Sequence, residues 1–236
     1  MKLTVLGCMG GYPVKGTGTS AYLYESRGQK ILIDCGSNAL SELSKYIRPA
    51  DLDAALLSHL HSDHFSDMLN LRYLLKVEGR TLDVYLPKEQ TPEYELLAAC
   101  PNLALHAYSD GDTVLGGVTV RAAPAIHSRE GVSISVDDGA VRLVYSGDTA
   151  LNDNLSKLCE GADLLLCNCG IPAKYLTGHY LMSVEEGAAL ARLAGASLIV
   201  THINARRSPK SAVAALIKKY PSDKIILAKK GLTVEI

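Results

Sequence analysis

The chain has 236 residues, 47% hydrophobic and 21% charged, with 24 Lys+Arg against 25 Asp+Glu and a formal net charge of −1. This balance describes a folded protein; it excludes a disordered chain and a binder that holds nucleic acid through bulk positive charge. With no Trp and one Phe the core must be aliphatic, and the six Cys read as reduced core thiols, not as a disulfide framework.

In chain order, residues 2–8, 20–25 and 29–34 are short, apolar or β-branched and bounded by Gly-rich or polar turns, which predicts strands. A helical pattern follows over 39–47, then a strand over 52–58, helices over 65–77 and 93–99, and a strand-like run over 103–108. The second half opens with strands over 113–123, 132–136 and 141–145, with Asp137-Asp138-Gly139 as a hairpin turn. Strands over 164–168, 198–201 and 224–228 alternate with helices over 155–159, 184–193 and 211–220. No linker divides the chain, so a single domain over 1–236 is expected, made of two similar halves at roughly 1–111 and 112–236. A four-layer αββα sandwich, two mixed sheets with helices on the outer faces, satisfies this order. The first apolar run is too short for a signal peptide, and no stretch approaches the ~20 apolar residues of a membrane span. A cytoplasmic protein with no membrane partner is the expectation.

The sharpest motif is Ser58-His59-Leu60-His61-Ser62-Asp63-His64, with four metal-competent side chains inside six residues. On an extended segment His59, His61 and Asp63 would face one side. His64, at the turn into the next helix, would point elsewhere, which suits two adjacent metals. His127, Asp148 and His202 each follow a predicted strand end, where ligands on a sheet scaffold belong. Imidazole and carboxylate donors select Zn²⁺ first, with Mn²⁺ or Fe²⁺ as alternatives. A polar loop with surface histidines is the bland alternative, and the clustering of an uncommon residue with Asp argues against it.

These motifs resemble the metallo-β-lactamase-fold hydrolases, especially their ribonuclease Z-like and phosphodiesterase branch. The resemblance runs through the early Gly-rich loop, Asp34-Cys35-Gly36, the His-x-His-x-Asp-His motif, His127, Ser146-Gly147-Asp148-Thr149 and Thr201-His202. It implies an αββα fold with two divalent metal ions at one edge. His59, His61 and His127 would hold the first, Asp63, His64 and His202 the second, and Asp148 would bridge them. With a bridging hydroxide such a site carries a net charge of about +1, which favours a small anionic substrate. Asp63, or else Asp148, would orient the nucleophile while serving as a ligand. Asp34 would orient a ligand His or brace the motif loop.

The resemblance also assigns His179 as proton donor to the leaving group, although it stands two residues before the family's usual place. Arg206, four residues after His202, matches a phosphate-binding Arg, while Arg207 stands where the family usually has Tyr. His64 and Asp148 depart from the antibiotic-hydrolysing members, and His61 departs from the His-x-Glu of flavin-linked diiron members. Only twenty residues separate His127 from Asp148, too few for the tRNA-gripping arm of ribonuclease Z. The expectation is therefore a phosphodiesterase for small nucleotides or short RNA. A lactonase or glyoxalase II-like thioesterase is the alternative, and a homodimer is compatible with either. Cys167-x-Cys169 and His106 read as structural, and the Gly7–Gly11 loop, with no helix after it, as a cleft wall and not a dinucleotide site.

Overall fold

The computed structural model describes residues 1–206, 210–221 and 224–236. Its strands are β1 (Lys2–Met9), β2 (Gly18–Thr19), β3 (Ala21–Ser26), β4 (Gln29–Cys35), β5 (Ala54–Leu56), β6 (Leu82–Leu86), β7 (Leu103–Ala107), β8 (Thr113–Leu115), β9 (Val118–Pro124), β10 (Val132–Asp137), β11 (Arg142–Tyr145), β12 (Leu164–Cys167), β13 (Ser197–Val200), β14 (Ile225–Leu227) and β15 (Thr233–Glu235). The helices are α1 (Ala39–Leu43), α2 (Ser62–Phe65), α3 (Met68–Val77), α4 (Pro92–Ala98), α5 (Asp153–Leu158), α6 (Val184–Ala194) and α7 (Lys210–Ile217).

Two sheets result. The first runs β15-β1-β3-β4-β5-β6-β7, with β2 beside β1, and the second runs β14-β13-β12-β11-β10-β9-β8. Both are mixed: β1, β3 and β4 pair antiparallel before the parallel run to β7. Likewise β8 to β11 pair antiparallel before the parallel run to β14.

Side-chain alternation along each strand sorts the core into three apolar layers. Leu3, Val5, Ile31 and Ile33 of the first sheet meet Ile134, Leu143, Leu164 and Leu166 of the second in the central layer. Leu23, Leu32 and Ala55 turn outward onto Leu43 of α1 and Leu71 and Leu75 of α3. Leu165, Leu198 and Val200 turn outward onto Val184, Ala188 and Ala191 of α6. The order is the expected αββα sandwich. All six Cys are free and buried.

Several local expectations change. β15 returns from the end of the second half to pair with β1, Lys2 opposite Glu235, so the sheets do not follow a division at 111/112. The strand expected over 113–123 folds back at Gly116 and Gly117, whose φ of 52° and 88° only glycine adopts freely, and becomes the β8–β9 hairpin. The helix expected over 65–77 begins earlier and breaks at Asp67, whose N–H donates to the Cys35 carbonyl and whose carboxylate accepts from the Leu40 N–H. β2, β6 and β15 are additional strands.

Candidate metal centre

The strands that carry the candidate ligands all end at one edge of the sandwich. His59 and His61 follow β5, His127 follows β9, Asp148 follows β11 and His202 follows β13, while Asp63 and His64 lie in α2. The segment from Leu57 to His61 has left the sheet, and His61 sits just before α2. His59, His61 and Asp63 therefore do not converge by strand alternation: Asp63 arrives by the first turn of a short helix, because a carboxylate favours a helix N-terminus.

Seven side chains nevertheless come together. Three overlapping triads have ligand atoms within 4.8 Å of one another: His59, His61 and His127; His59, His64 and Asp148; Asp63, His64 and His202. His61 Nδ1 lies 2.9 Å from His59 Nε2 and 3.1 Å from His127 Nε2. Asp148 Oδ2 is 3.3 Å from His202 Nε2 and 3.9 Å from His127 Nε2, and its Oδ1 is 3.7 Å from His64 Nε2. His59, Asp63, His64, Asp148 and His202 are buried, and His61 and His127 are of intermediate exposure, the His127 side chain itself being 8% exposed.

The surrounding hydrogen bonds fix which imidazole nitrogen faces the cluster. Asp34, fully buried, accepts from His64 Nδ1 at 2.6 Å, from Tyr145 Oη at 2.6 Å and from Ser58 N and Oγ at 2.7 and 2.9 Å. Ser58 Oγ in turn accepts from His59 Nδ1 at 3.0 Å, and the Tyr180 carbonyl accepts from His127 Nδ1 at 2.9 Å. In each of these histidines Nε2 is the nitrogen turned into the cluster, the one a cation would meet. His64 Nε2 is buried and has no hydrogen-bond partner. Converging ring nitrogens and an orphaned buried nitrogen are costly unless a cation lies between them, and the donor set suits a divalent transition metal.

The electrostatics divide the centre. Burial and the neighbouring imidazoles of His64, His61 and His127 hold His59 well below its ordinary pKa, and burial with His127 lowers His61. Burial would also lower His64 and His202, but Asp34, Asp148 and Asp63 raise the first, and Asp148 and Asp63 the second. Burial would raise Asp63, yet His64 and His202 hold its carboxyl far below the carboxylate range. His59 and His61 thus offer neutral imidazoles, while the carboxylates around His64 and His202 favour protons there that a metal must displace.

Backbone strain accompanies the site. Asp34 and His202 adopt left-handed φ of 51° and 58°, a conformation that costs a non-glycine residue about 1–3 kcal/mol. A Cβ on Gly10 would stand 2.5 Å from the His202 ring, so glycine is required beneath it. The next residue, Gly11, donates its N–H to Asp63 Oδ2 at 2.6 Å, which makes the early Gly-rich loop a wall of the centre.

Of the other expected residues, Asp34 braces both His64 and the motif loop. His179 is exposed beside Tyr180, the residue that holds His127. Arg206 is exposed, its N–H donating to Asn204 Oδ1. Arg207 lies outside the described residues. His106 pairs with Asp83 at 2.7 Å and stacks on Tyr85, apart from the cluster. Asn168 is a new participant: its Nδ2 donates to Asp148 Oδ1 at 2.7 Å and to Tyr145 Oη at 3.0 Å. Its signal in the sequence is a single amide closing an apolar strand between two cysteines.

A family model for the β-lactamase superfamily domain matches residues 29–203. The chain belongs to the β-lactamase superfamily. Probable metallo-hydrolase YhfI of Bacillus subtilis is 32% identical over 213 residues, 86% of this chain and 87% of that one. The crystal structure of YhfI, described as a metallo-β-lactamase fold protein, matches with a TM-score of 0.91 and 31% identity over 99% of both chains. A ribonuclease Z of Mycobacterium bovis is 27% identical, covering 86% of this chain and 85% of that one. The short form of human tRNase Z shares the fold, with a TM-score of 0.79 at 19% identity over 100% of this chain and 99% of that one. This β-lactamase-superfamily member is a metal-dependent hydrolase. Among the described residues of this superfamily member no helix is long and apolar enough to cross a membrane.

Proposed function

We propose that this hydrolase is a dinuclear phosphodiesterase acting on small nucleotide or short RNA phosphodiesters. The observation that carries the reading is the position of Asp148, 3.3 to 3.9 Å from histidine nitrogens of both outer triads. One carboxylate shared between two ligand sets is the arrangement a pair of cations needs. His59, His61 and His127 would hold one divalent ion, Asp63, His64 and His202 the other, with Zn²⁺ first and Mn²⁺ or Fe²⁺ as alternatives. Bound there, the ions would supply Lewis acidity at a phosphoryl oxygen and acidify a water to serve as nucleophile.

The chain's own residues complete the chemistry. Asp63 Oδ2 is held by the Gly11 N–H and faces His202, which leaves Oδ1 to orient an attacking water. His179, exposed on the segment whose Tyr180 carbonyl fastens His127, would be the proton donor to a departing alkoxide. Arg206, exposed four residues after His202, is suited to a substrate phosphate. The twenty residues between His127 and Asp148 are taken up by the β10–β11 hairpin and its approaches, so no arm reaches along a long RNA. That supports a small anionic substrate.

Hydrolysis of bis(p-nitrophenyl) phosphate by the Zn²⁺- or Mn²⁺-loaded protein tests the reading beside a lactone and a thioester. Phosphodiester turnover is expected, with Asp63→Ala lowering kcat by ~10²-fold or more. Metal-loaded protein that turns over a lactone or thioester and no phosphodiester would overturn it in favour of acyl transfer.

A further inference from the structure

Arg129 lies two residues past His127 and commits its guanidinium to three separate segments. Nη1 donates to the Leu60 carbonyl at 2.6 Å, Nε to the two carboxylate oxygens of Glu89 at 3.2 and 3.1 Å, and Nη2 to Glu93 Oε2 at 2.7 Å. Leu60 stands between His59 and His61 in the motif loop. Glu89 follows β6, and Glu93 lies in the first turn of α4. The Arg129 side chain is 16% exposed and that of Glu89 5%, so this pair is largely desolvated, while Glu93, 39% exposed, faces solvent.

The backbone already joins the two ligand-bearing loops on one side: Val132 N donates to the Ser58 carbonyl at 2.9 Å, and His59 bridges Gly131. Those contacts hold His59, which is buried in any case. His61 and His127 sit on different loops, and no strand pairing joins those two residues directly; the His127 ring is held by the Tyr180 carbonyl alone on its Nδ1 side. Arg129 spans the same two loops through the Leu60 carbonyl, next to His61. A planar fork with donors at three corners sets both distance and angle, which a lysine ammonium cannot do.

We infer that Arg129 is a positioning residue for the His59–His61–His127 triad, its guanidinium locking the motif loop and the His127 loop at the spacing at which the three nitrogens converge on one cation. The inference rests on the dinuclear reading above. It places the selectivity of the effect in one metal site: loss of Arg129 loosens the first triad and leaves the Asp63–His64–His202 triad intact.

The test is titration of the metal-free protein with Co²⁺ against a chromophoric chelator, together with the visible spectrum of bound cobalt. Wild type is expected to take two equivalents. In Arg129→Met one equivalent weakens by ~10- to 100-fold, with a changed spectrum, while the other keeps its affinity. Arg129→Lys does not restore it. Because Arg129→Met strands the Glu89 charge, the double variant Arg129→Met/Glu89→Gln repeats the measurement without that burden. If neither arginine variant folds, Glu93→Gln decides, with a few-fold weakening of the same equivalent expected. Two equivalents bound with wild-type affinities and spectrum in the folded variants would overturn the role of Arg129. Fewer than two equivalents in wild type would instead refute the dinuclear reading itself.

Discussion

Asp34 shows how much of the centre depends on residues that never touch the metal ions. Three of its four hydrogen bonds converge on Oδ2, from Ser58 Oγ, His64 and Tyr145. Its left-handed backbone makes Asp34→Asn the informative change, since Asn tolerates that conformation as Asp does. An amide there presents N–H to groups that are themselves donors. The variant is expected to lose about 2–4 kcal/mol of stability in urea unfolding. Metal affinity is expected to fall ~10- to 100-fold in a chelator competition, because His64 loses its orienting partner. The residues of the cluster were legible as candidate ligands by type and order, since His and Asp cluster rarely and follow strand ends. Asn168, Ser58 and Tyr145 were not: amides and hydroxyls are common, and only three-dimensional proximity marks these three as partners of Asp148, His59 and Asp34.

At the scale of elements, the hydrophobic runs that alternate within the sheets could be read directly, while their limits and breaks could not. β5 keeps only three of the seven residues expected over 52–58, because the chain leaves the sheet to place His59. β15 has three residues and a partner at the far end of the chain, so no local pattern announces it. α6 is the opposite case. Ser183 Oγ accepts from the Glu186 N–H, and the Glu186 carboxylate accepts from the Ser183 N–H. Gly195, with φ 70°, ends the helix. Ser183→Ala is expected to cost about 1 kcal/mol. Chemical denaturation should show a lower midpoint with an unchanged slope, since the surface exposed on unfolding is the same.

For the whole molecule, the decisive fact is that the candidate ligands come from both sheets: His59 and His61 from the loop after β5, His127, Asp148 and His202 from the ends of β9, β11 and β13. A cation at this edge links the two halves of the sandwich and stabilises the folded state alone. Each site held at a thousandfold excess over its Kd adds about 4 kcal/mol, roughly 10 °C for a chain of this size. Removing metal with a chelator should lower the melting temperature by at least that amount, and Zn²⁺ should restore it; calorimetry with and without chelator checks both. The sandwich was readable from the order of elements, and the resemblance already set Asp63 beside His202, 139 residues away; the pairing of β15 with β1 was not readable, because a three-residue strand carries no local pattern. That separation has a consequence for synthesis. A ribosome releases the His-x-His-x-Asp-His segment long before His202, and β1 waits with an open edge for β15. The nascent first half is therefore a set of exposed imidazoles on an unfinished sheet, and the centre can close only once His202 has left the exit tunnel.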